Sequence, residues 1–466
     1  MGSYQPTPED FAPNFKTPWI ETPLVESANL SRAAGCRIFL KLENVQPSGS
    51  FKSRAMGNQI LSHLRKPENF NRRVHFYASS GGNAGIAAVC AARTLGYPCT
   101  VVVPLSTKPL MVDKLHAAGA ADVIRHGENF FEAGSYMKDV IMKQSSGDDE
   151  DVAKIALHPF DNEPIWEGNS TIIDELEKQL PVPASPEEEQ VYGSRALPVD
   201  AILCSVGGGG LLNGLVQGLE SRRTKKQIET VQSSTGHSYQ DTHSESTTTP
   251  LSSTPSPIHL LAIETDGTDS LAAAIASNSL VSLPKITSQA TSLGAIRVSE
   301  TTFQYAVAPP PGIQVHSAVL TDAEAARGVL RLADDERLLV ELACGVCIEA
   351  AIGDAATAAA TAAANAVAET RSAKRRKVDS DDVVTVLPKD EGYSDDRWSS
   401  TENETEPEVS DAVAVATKTP LLQSKLKTLV PDLNAQSRVV IIVCGGSNVT
   451  IDMASEYRKL LAEGWA

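Results

Sequence analysis

Lys52 closes the turn Pro47-Ser48-Gly49-Ser50-Phe51, just after the apolar residues 38–42. A lysine ending a tight Ser/Gly turn beside an aromatic ring is poorly placed for a solvated ammonium. Desolvation disfavours the charged form and lowers a lysine pKa, leaving an amine able to form a Schiff base with a carbonyl compound. Three more Gly-rich turns follow downstream, and the chemistry of each adds to that of the amine.

The second turn is Ser79-Ser80-Gly81-Gly82-Asn83-Ala84-Gly85, between a strand-like and a helix-like stretch. Small residues there let backbone amides at a helix N-terminus approach a carboxylate closely. Asn83 brings one donor and one acceptor group, although the same residue reads equally as a helix cap. The third turn is Ser205-Val206-Gly207-Gly208-Gly209-Gly210-Leu211. Four glycines in a row are costly to order, but they expose N–H groups at the positive end of a helix dipole, which suits a phosphate. No Gly-Lys-Ser/Thr follows, so this is not a P-loop, and the dinucleotide spacing is matched only trivially. The apolar patterns on both sides argue against a linker. The fourth, Val443-Cys444-Gly445-Gly446-Ser447-Asn448, ends the last strand-like run. Its thiol could meet a planar ring edge-on, or be a buried core cysteine before a turn.

The elements that must position these turns are legible in outline. Residues 38–42, 74–78, 100–103, 201–206, 259–264 and 439–444 are short and apolar or β-branched, as parallel strands covered on both faces are. Amphipathic stretches at 83–95, 108–118 and 165–179 lie between them, so the fold class expected is α/β. Residues 181–197, 230–257 and 370–421 are too polar to offset chain entropy and are expected to be disordered inserts. The Ala-rich residues 355–368 read as a helix leading into the last of these.

The chain has 466 residues with a formal charge of −17 and 41% apolar content, enough for two lobes. An acidic balance argues against nucleic acid as a partner. Seven cysteines, with Cys344-x-x-Cys347 unpaired by a second such motif, argue against zinc and fit a reducing, cytoplasmic compartment. No apolar run is long enough to span a membrane. The basic cluster 374–377, Lys-Arg-Arg-Lys, reads as a nuclear signal or as a solvated charge run.

Taken together, Gly49-Ser50-Phe51-Lys52, the 79–85 turn, the tetraglycine loop and Cys444-Gly445-Gly446-Ser447-Asn448 resemble the fold-type II pyridoxal-phosphate enzymes, most closely the catabolic L-serine/L-threonine dehydratases. Thr22-Pro23-Leu24, Pro159-Phe160-Asp161, Ile165-Trp166-Glu167-Gly168 and Leu283-Pro284-Lys285-Ile286-Thr287 agree. The resemblance implies two lobes, each with a largely parallel sheet flanked by helices and the active site between them. Residues 47–157 would form the small domain, with 1–46 and 158–466 forming the large, cofactor-binding one. It further implies that Lys52 carries pyridoxal 5'-phosphate with Phe51 beside the ring. Gly207, Gly208, Gly209, Gly210 and Leu211 would hold the phosphate, Cys444 would face the ring nitrogen and Asn83 the phenolic oxygen. Ser79, Ser80, Gly81, Gly82, Asn83 and Ala84 would take the substrate carboxylate. A monovalent cation, potassium in relatives, would sit at Glu264 and Ser270 with backbone oxygens near Thr268, Leu293, Ala295 and Gly207. The implied activity is β-elimination from L-serine, and from L-threonine, in amino-acid catabolism that feeds gluconeogenesis, by a homodimer.

Two positions depart from the family pattern. Gly81 stands where relatives carry alanine or serine and is expected to enlarge the space beside the substrate. Leu342 stands where proline is usual and should alter a turn only. A serine racemase, another β-eliminating or β-replacing enzyme of the same scaffold, and a cofactor-free scaffold protein are the competing readings.

Overall fold

The computed structural model describes residues 15–70, 72–144, 151–193, 195–235, 256–353 and 424–465. Among these residues, ten strands form two sheets. The six-stranded sheet has the order β1 (Leu24–Glu26), β2 (Arg37–Lys41), β10 (Arg438–Ile442), β7 (Ala201–Ser205), β8 (Ile258–Thr265), β9 (Ile313–Leu320). The four-stranded sheet has the order β5 (Asp122–Arg125), β4 (Cys99–Val103), β3 (Arg73–Ala78), β6 (Val152–Leu157). Every pairing is parallel except that of β1 with β2. The α/β expectation is therefore met, with two parallel-sheet regions.

The helices, in chain order, are α1 (Ala28–Ala34), α2 (Lys52–Leu64), α3 (Asn83–Thr94), α4 (Pro109–Ala118), α5 (Phe130–Asp139), α6 (Glu163–Gln179) and α7 (Pro186–Tyr192). They continue with α8 (Gly210–Thr235), α9 (Ser270–Ala276), α10 (Glu300–Val307), α11 (Asp322–Glu336), α12 (Leu342–Ile352), α13 (Lys425–Leu429) and α14 (Ile451–Ala462). In the four-stranded sheet β4 is buried at every position, because helices cover both faces and Cys-Thr-Val-Val-Val has nothing polar to solvate beyond Thr100. In the larger sheet β7 and β10 are buried throughout for the same reason.

One buried polar cluster holds the start of α2, and with it Lys52. The Arg54 guanidinium, with no exposed surface, donates to Glu43 at 2.7 and 2.8 Å and to Glu175 at 2.6 and 2.8 Å. Lys41 joins it through Glu175 at 2.5 Å, the Thr22 carbonyl at 2.7 Å and Gln179 at 2.8 Å. Two cations meet two carboxylates, so the cluster is neutral. Burial works against the Glu175 anion, but Arg54 and Lys41 outweigh it and keep the carboxyl below its usual range.

Two expectations are corrected. Residues 181–197 are not a disordered insert: Ser185 caps α7, Tyr192 donates to Asp200 at 2.7 Å, Arg195 pairs with Asp200 at 2.7 Å, and Leu197 is buried. Proline at the first turn and acidic residues beside a helix N-terminus, which lowered the apolar count, are what make α7 a helix. The 230–257 segment begins as helix, since α8 runs to Thr235, and residues 236–255 lie outside the described residues. So do residues 370–421, the 355–368 helix and the basic cluster 374–377.

Candidate active site

Backbone hydrogen bonds tie the first and fourth turns together. The Phe51 N–H donates to the Cys444 carbonyl at 3.1 Å, and the Gly446 N–H donates to the Gly49 carbonyl at 2.9 Å. Gly445 makes this approach possible: its φ is +78°, and a Cβ there would lie 2.4 Å from the Gly49 oxygen. Lys52 is the first residue of α2. Its Nζ donates to the Pro159 carbonyl at 2.9 Å and lies 5.1 Å from the centre of the Phe51 ring. Among the described residues it has no ion pair. Burial lowers its pKa to about 8, since no carboxylate offsets the desolvation.

Cys444 follows β10 by two residues, its sulfur 3.5 Å from the Ser205 hydroxyl at the end of β7. Burial pushes the thiol up to about 11, so it stays protonated. The tetraglycine loop leaves β7 and opens α8 at Gly210. Gly209 has φ of +93°, and a Cβ there would fall 1.8 Å from Thr302 Oγ1, so no other residue fits. Among the described residues the N–H groups of Gly207, Gly208 and Gly209 donate to no protein acceptor.

The 79–85 turn joins β3 to α3. Asn83 does not cap α3, whose N-cap is Gly82. Its amide instead reaches across to other turns: Oδ1 accepts from the Ser447 N–H at 2.9 Å, and Nδ2 donates to Glu341 at 3.0 Å and Ser292 at 3.4 Å. Glu341 is a carboxylate the sequence reading missed as a site residue. It also accepts from the Asn448 N–H at 2.6 Å and from the Ser292 hydroxyl. The available signal was an acid at the N-cap of α12, a largely apolar helix whose one other acid is Glu349.

Ser79 and Ala84 are buried, while Ser80, Gly81 and Gly82 are partly exposed. The Ser80 hydroxyl accepts from the Gly82 N–H at 3.3 Å. The space expected beside Gly81 is not there. A Cβ at that position would lie 2.8 Å from Thr107 Cγ2, 2.9 Å from Thr107 Oγ1 and 3.3 Å from Val103 Cγ1.

Glu264 is the next-to-last residue of β8 and accepts from the Leu271 and Ala272 N–H groups at 2.8 Å each. Burial raises its pKa to about 8 despite those bonds. The buried Ser270 hydroxyl beside it has no partner. Gly207 comes close to the Leu293 carbonyl, which a Cβ on Gly207 would meet at 3.1 Å. Cys344 and Cys347 lie buried on α12.

These residues suit pyridoxal phosphate on structural grounds. An amine without a counter-ion, three glycine N–H groups without acceptors, and a buried Ser50 hydroxyl without a partner lie on turns at the ends of adjoining strands.

The model of the pyridoxal-phosphate dependent enzymes matches residues 16–258. An L-serine dehydratase of Saccharomyces cerevisiae (strain AWRI1631) is 36% identical over 333 residues, 71% of this chain and 85% of that protein. The catabolic L-serine/threonine dehydratase of S. cerevisiae (strain ATCC 204508 / S288c) is 36% identical over 329 residues, 70% of this chain and 78% of that one. Among solved structures, a fungal L-serine ammonia-lyase from Rhizomucor miehei superposes with a TM-score of 0.62 at 23% identity, covering 95% of this chain and 99% of that one. With Lys52, the tetraglycine loop and Cys444 inside that shared architecture, the chain belongs to the pyridoxal-phosphate dependent enzymes.

Proposed function

We propose that the protein is a lyase that converts L-serine to pyruvate and ammonia, and L-threonine to 2-oxobutanoate and ammonia. The observation that carries this reading is the Lys52 amine. It is largely unpaired, has its pKa lowered to about 8, and lies in a chain 36% identical to an L-serine dehydratase along 85% of that relative.

Bound pyridoxal phosphate would supply an electron sink for the substrate Cα. The protein supplies the rest. Lys52 Nζ would hold the cofactor and, as a neutral amine, would serve as the base that takes the Cα proton. Gly207 to Gly210 and Leu211 would offer N–H groups to the phosphate, and Phe51 would lie beside the ring. The Ser79–Ala84 turn, including Asn83, orients the substrate carboxylate with its free N–H groups. A protonated Cys444 would give the ring nitrogen at most a weak hydrogen bond and no formal charge. The electron sink would then be weaker, so charge left at Cα would be relieved by prompt loss of the β-hydroxyl, which favours elimination over transamination. The balance is loss of water from Cα–Cβ, then addition of water to the resulting imine carbon with release of ammonia.

The remaining parts of the reading rest on the family resemblance and on local chemistry. They put a monovalent cation, potassium, at Glu264 and Ser270, a reading supported by the Ser270 hydroxyl, which has no partner among the described residues. The small domain is taken as residues 47–157, and the enzyme as a cytoplasmic homodimer acting in amino-acid catabolism and gluconeogenesis, with a nuclear signal at 374–377 as a further possibility for its location. A steady-state assay of keto acid and ammonia from both amino acids tests the activity. Formation of D-serine without keto acid would replace it with the racemase reading. Absence of any borohydride-trapped cofactor on Lys52 would favour the scaffold reading.

A further inference from the structure

β3 and β4 pair in parallel through Phe76–Cys99, Tyr77–Thr100 and Ala78–Val101, so their C-terminal ends emerge side by side. The 79–85 turn therefore lies against the loop that leads from β4 to α4. That loop is folded back on itself by a hydrogen bond from the Thr107 N–H to the Pro104 carbonyl at 3.0 Å. Its Thr107 side chain fills the position a side chain at residue 81 would take, with Cγ2 and Oγ1 at 2.8 and 2.9 Å from the absent Cβ. Behind it Val103 is fully buried and offers no room for retreat. Thr107 itself is partly exposed, and among the described residues its hydroxyl makes no hydrogen bond. Next to it the Gly81, Asn83 and Ala84 N–H groups also lack protein acceptors.

We propose that Thr107 is a specificity-determining residue of this site, supplying from a neighbouring loop the side chain that Gly81 lacks and setting how large a substrate side chain the turn admits. The inference rests on the dehydratase reading and deepens it. Serine and threonine differ by one methyl on Cβ. Thr107 brings both a methyl, which limits volume, and a hydroxyl without a protein partner, which suits the substrate's own polar groups. A glycine and a threonine in contact across two loops form a compensating pair: enlarging one requires shrinking the other. A methyl in a packed pocket is worth about ten- to two-hundredfold in kcat/KM.

The test uses the holoenzyme, with Thr107→Ala, Gly81→Ala and the double variant, and follows keto acid release from serine and threonine. Thr107→Ala should raise the threonine-to-serine ratio of kcat/KM about tenfold. Gly81→Ala alone should cut serine kcat/KM about tenfold, and the double variant should recover it to within roughly threefold of the parent. An unchanged substrate ratio in Thr107→Ala, or losses that multiply in the double variant, would overturn the proposal. Thermal unfolding of the cofactor-free proteins gives a second reading that does not depend on turnover. Gly81→Ala should unfold at lower temperature and the double variant should regain the loss; no regain overturns the pairing. If the parent enzyme releases no keto acid, the dehydratase reading fails, and the unfolding series still decides whether the two side chains compete for one space.

Discussion

Two lysines at the ends of consecutive elements, Lys41 closing β2 and Lys52 opening α2, face opposite demands. Both lie where burial disfavours an ammonium, and the pKa of each is lowered chiefly by that burial. Lys41 is met by the Glu175 carboxylate, the Thr22 carbonyl and Gln179. Lys52 is met by one carbonyl, that of Pro159. Their positions are otherwise alike, since each abuts the same final turn: the Val443 N–H donates to the Lys41 carbonyl at 2.9 Å, and the Phe51 N–H donates to that of Cys444 at 3.1 Å. The acceptors around a buried lysine here decide whether it is ion-paired or left without a counter-ion. Burial alone does not choose between the two.

The sharpest way to break that contrast is to remove each amine. Lys52→Ala should abolish turnover and borohydride trapping without the stability loss expected of Lys41→Met, because no buried anion is left behind. Residual turnover above a trace would end the assignment of Lys52. Lys41→Met should do the reverse, since it strips Glu175 of a partner inside the fold. The next largest effect is expected two residues beyond Lys52. Arg54→Met leaves Glu43 and Glu175 facing one cation, and losing one partner of a buried pair costs about 3–5 kcal/mol. Urea titration measures this. A loss under about 1 kcal/mol would mean the cluster is worth no more than a surface pair.

Legibility in the sequence followed burial closely. The six strands anticipated from apolar runs are β2, β3, β4, β7, β8 and β10, and these are the interior strands of the two sheets. The four that escaped, β1, β5, β6 and β9, are the sheet edges. Interior strands are covered on both faces and read as unbroken apolar runs. β6 alternates in burial and β5 is buried at none of its positions, so neither stands out from amphipathic or polar sequence. The site divides in a similar way. Lys52, the glycines and Cys444 stood out as candidates because backbone conformation and reactive chemistry restrict residue type at single positions. Glu341 and Thr107 were not, since each acts on a turn far from it in sequence: Glu341 on Asn83 and Asn448, Thr107 on Gly81. Such pairings are made by sheet register, which no local pattern encodes. Residues 181–197 misled for another reason, because their Pro and Glu content marks a helix start as well as a loop.

The smallest effect isolates the electrostatics of Lys52 from its chemistry. In the cofactor-free protein its pKa is lowered from 10.5 to about 8, chiefly by burial. Between those values the unfolded chain binds the proton more tightly than the folded one, so this residue makes stability rise with pH. The contribution is fully present above the unfolded value of 10.5 and is lost as pH falls through about 8. Lys41 is also lowered, but Glu175 opposes the shift and gives it a smaller share of any such slope. Raised thiols, such as Cys444 at about 11, act in the opposite sense over neighbouring pH and must be cancelled. The difference in unfolding free energy between the parent and Lys52→Met does this, because every other group is common to both. That difference should favour Lys52→Met below pH 8 and shrink steadily towards pH 10.5. A difference that stays flat would mean the folded protein keeps this amine as well solvated as the unfolded chain does, and the reactivity proposed for it would have to come from something other than the acceptors it lacks.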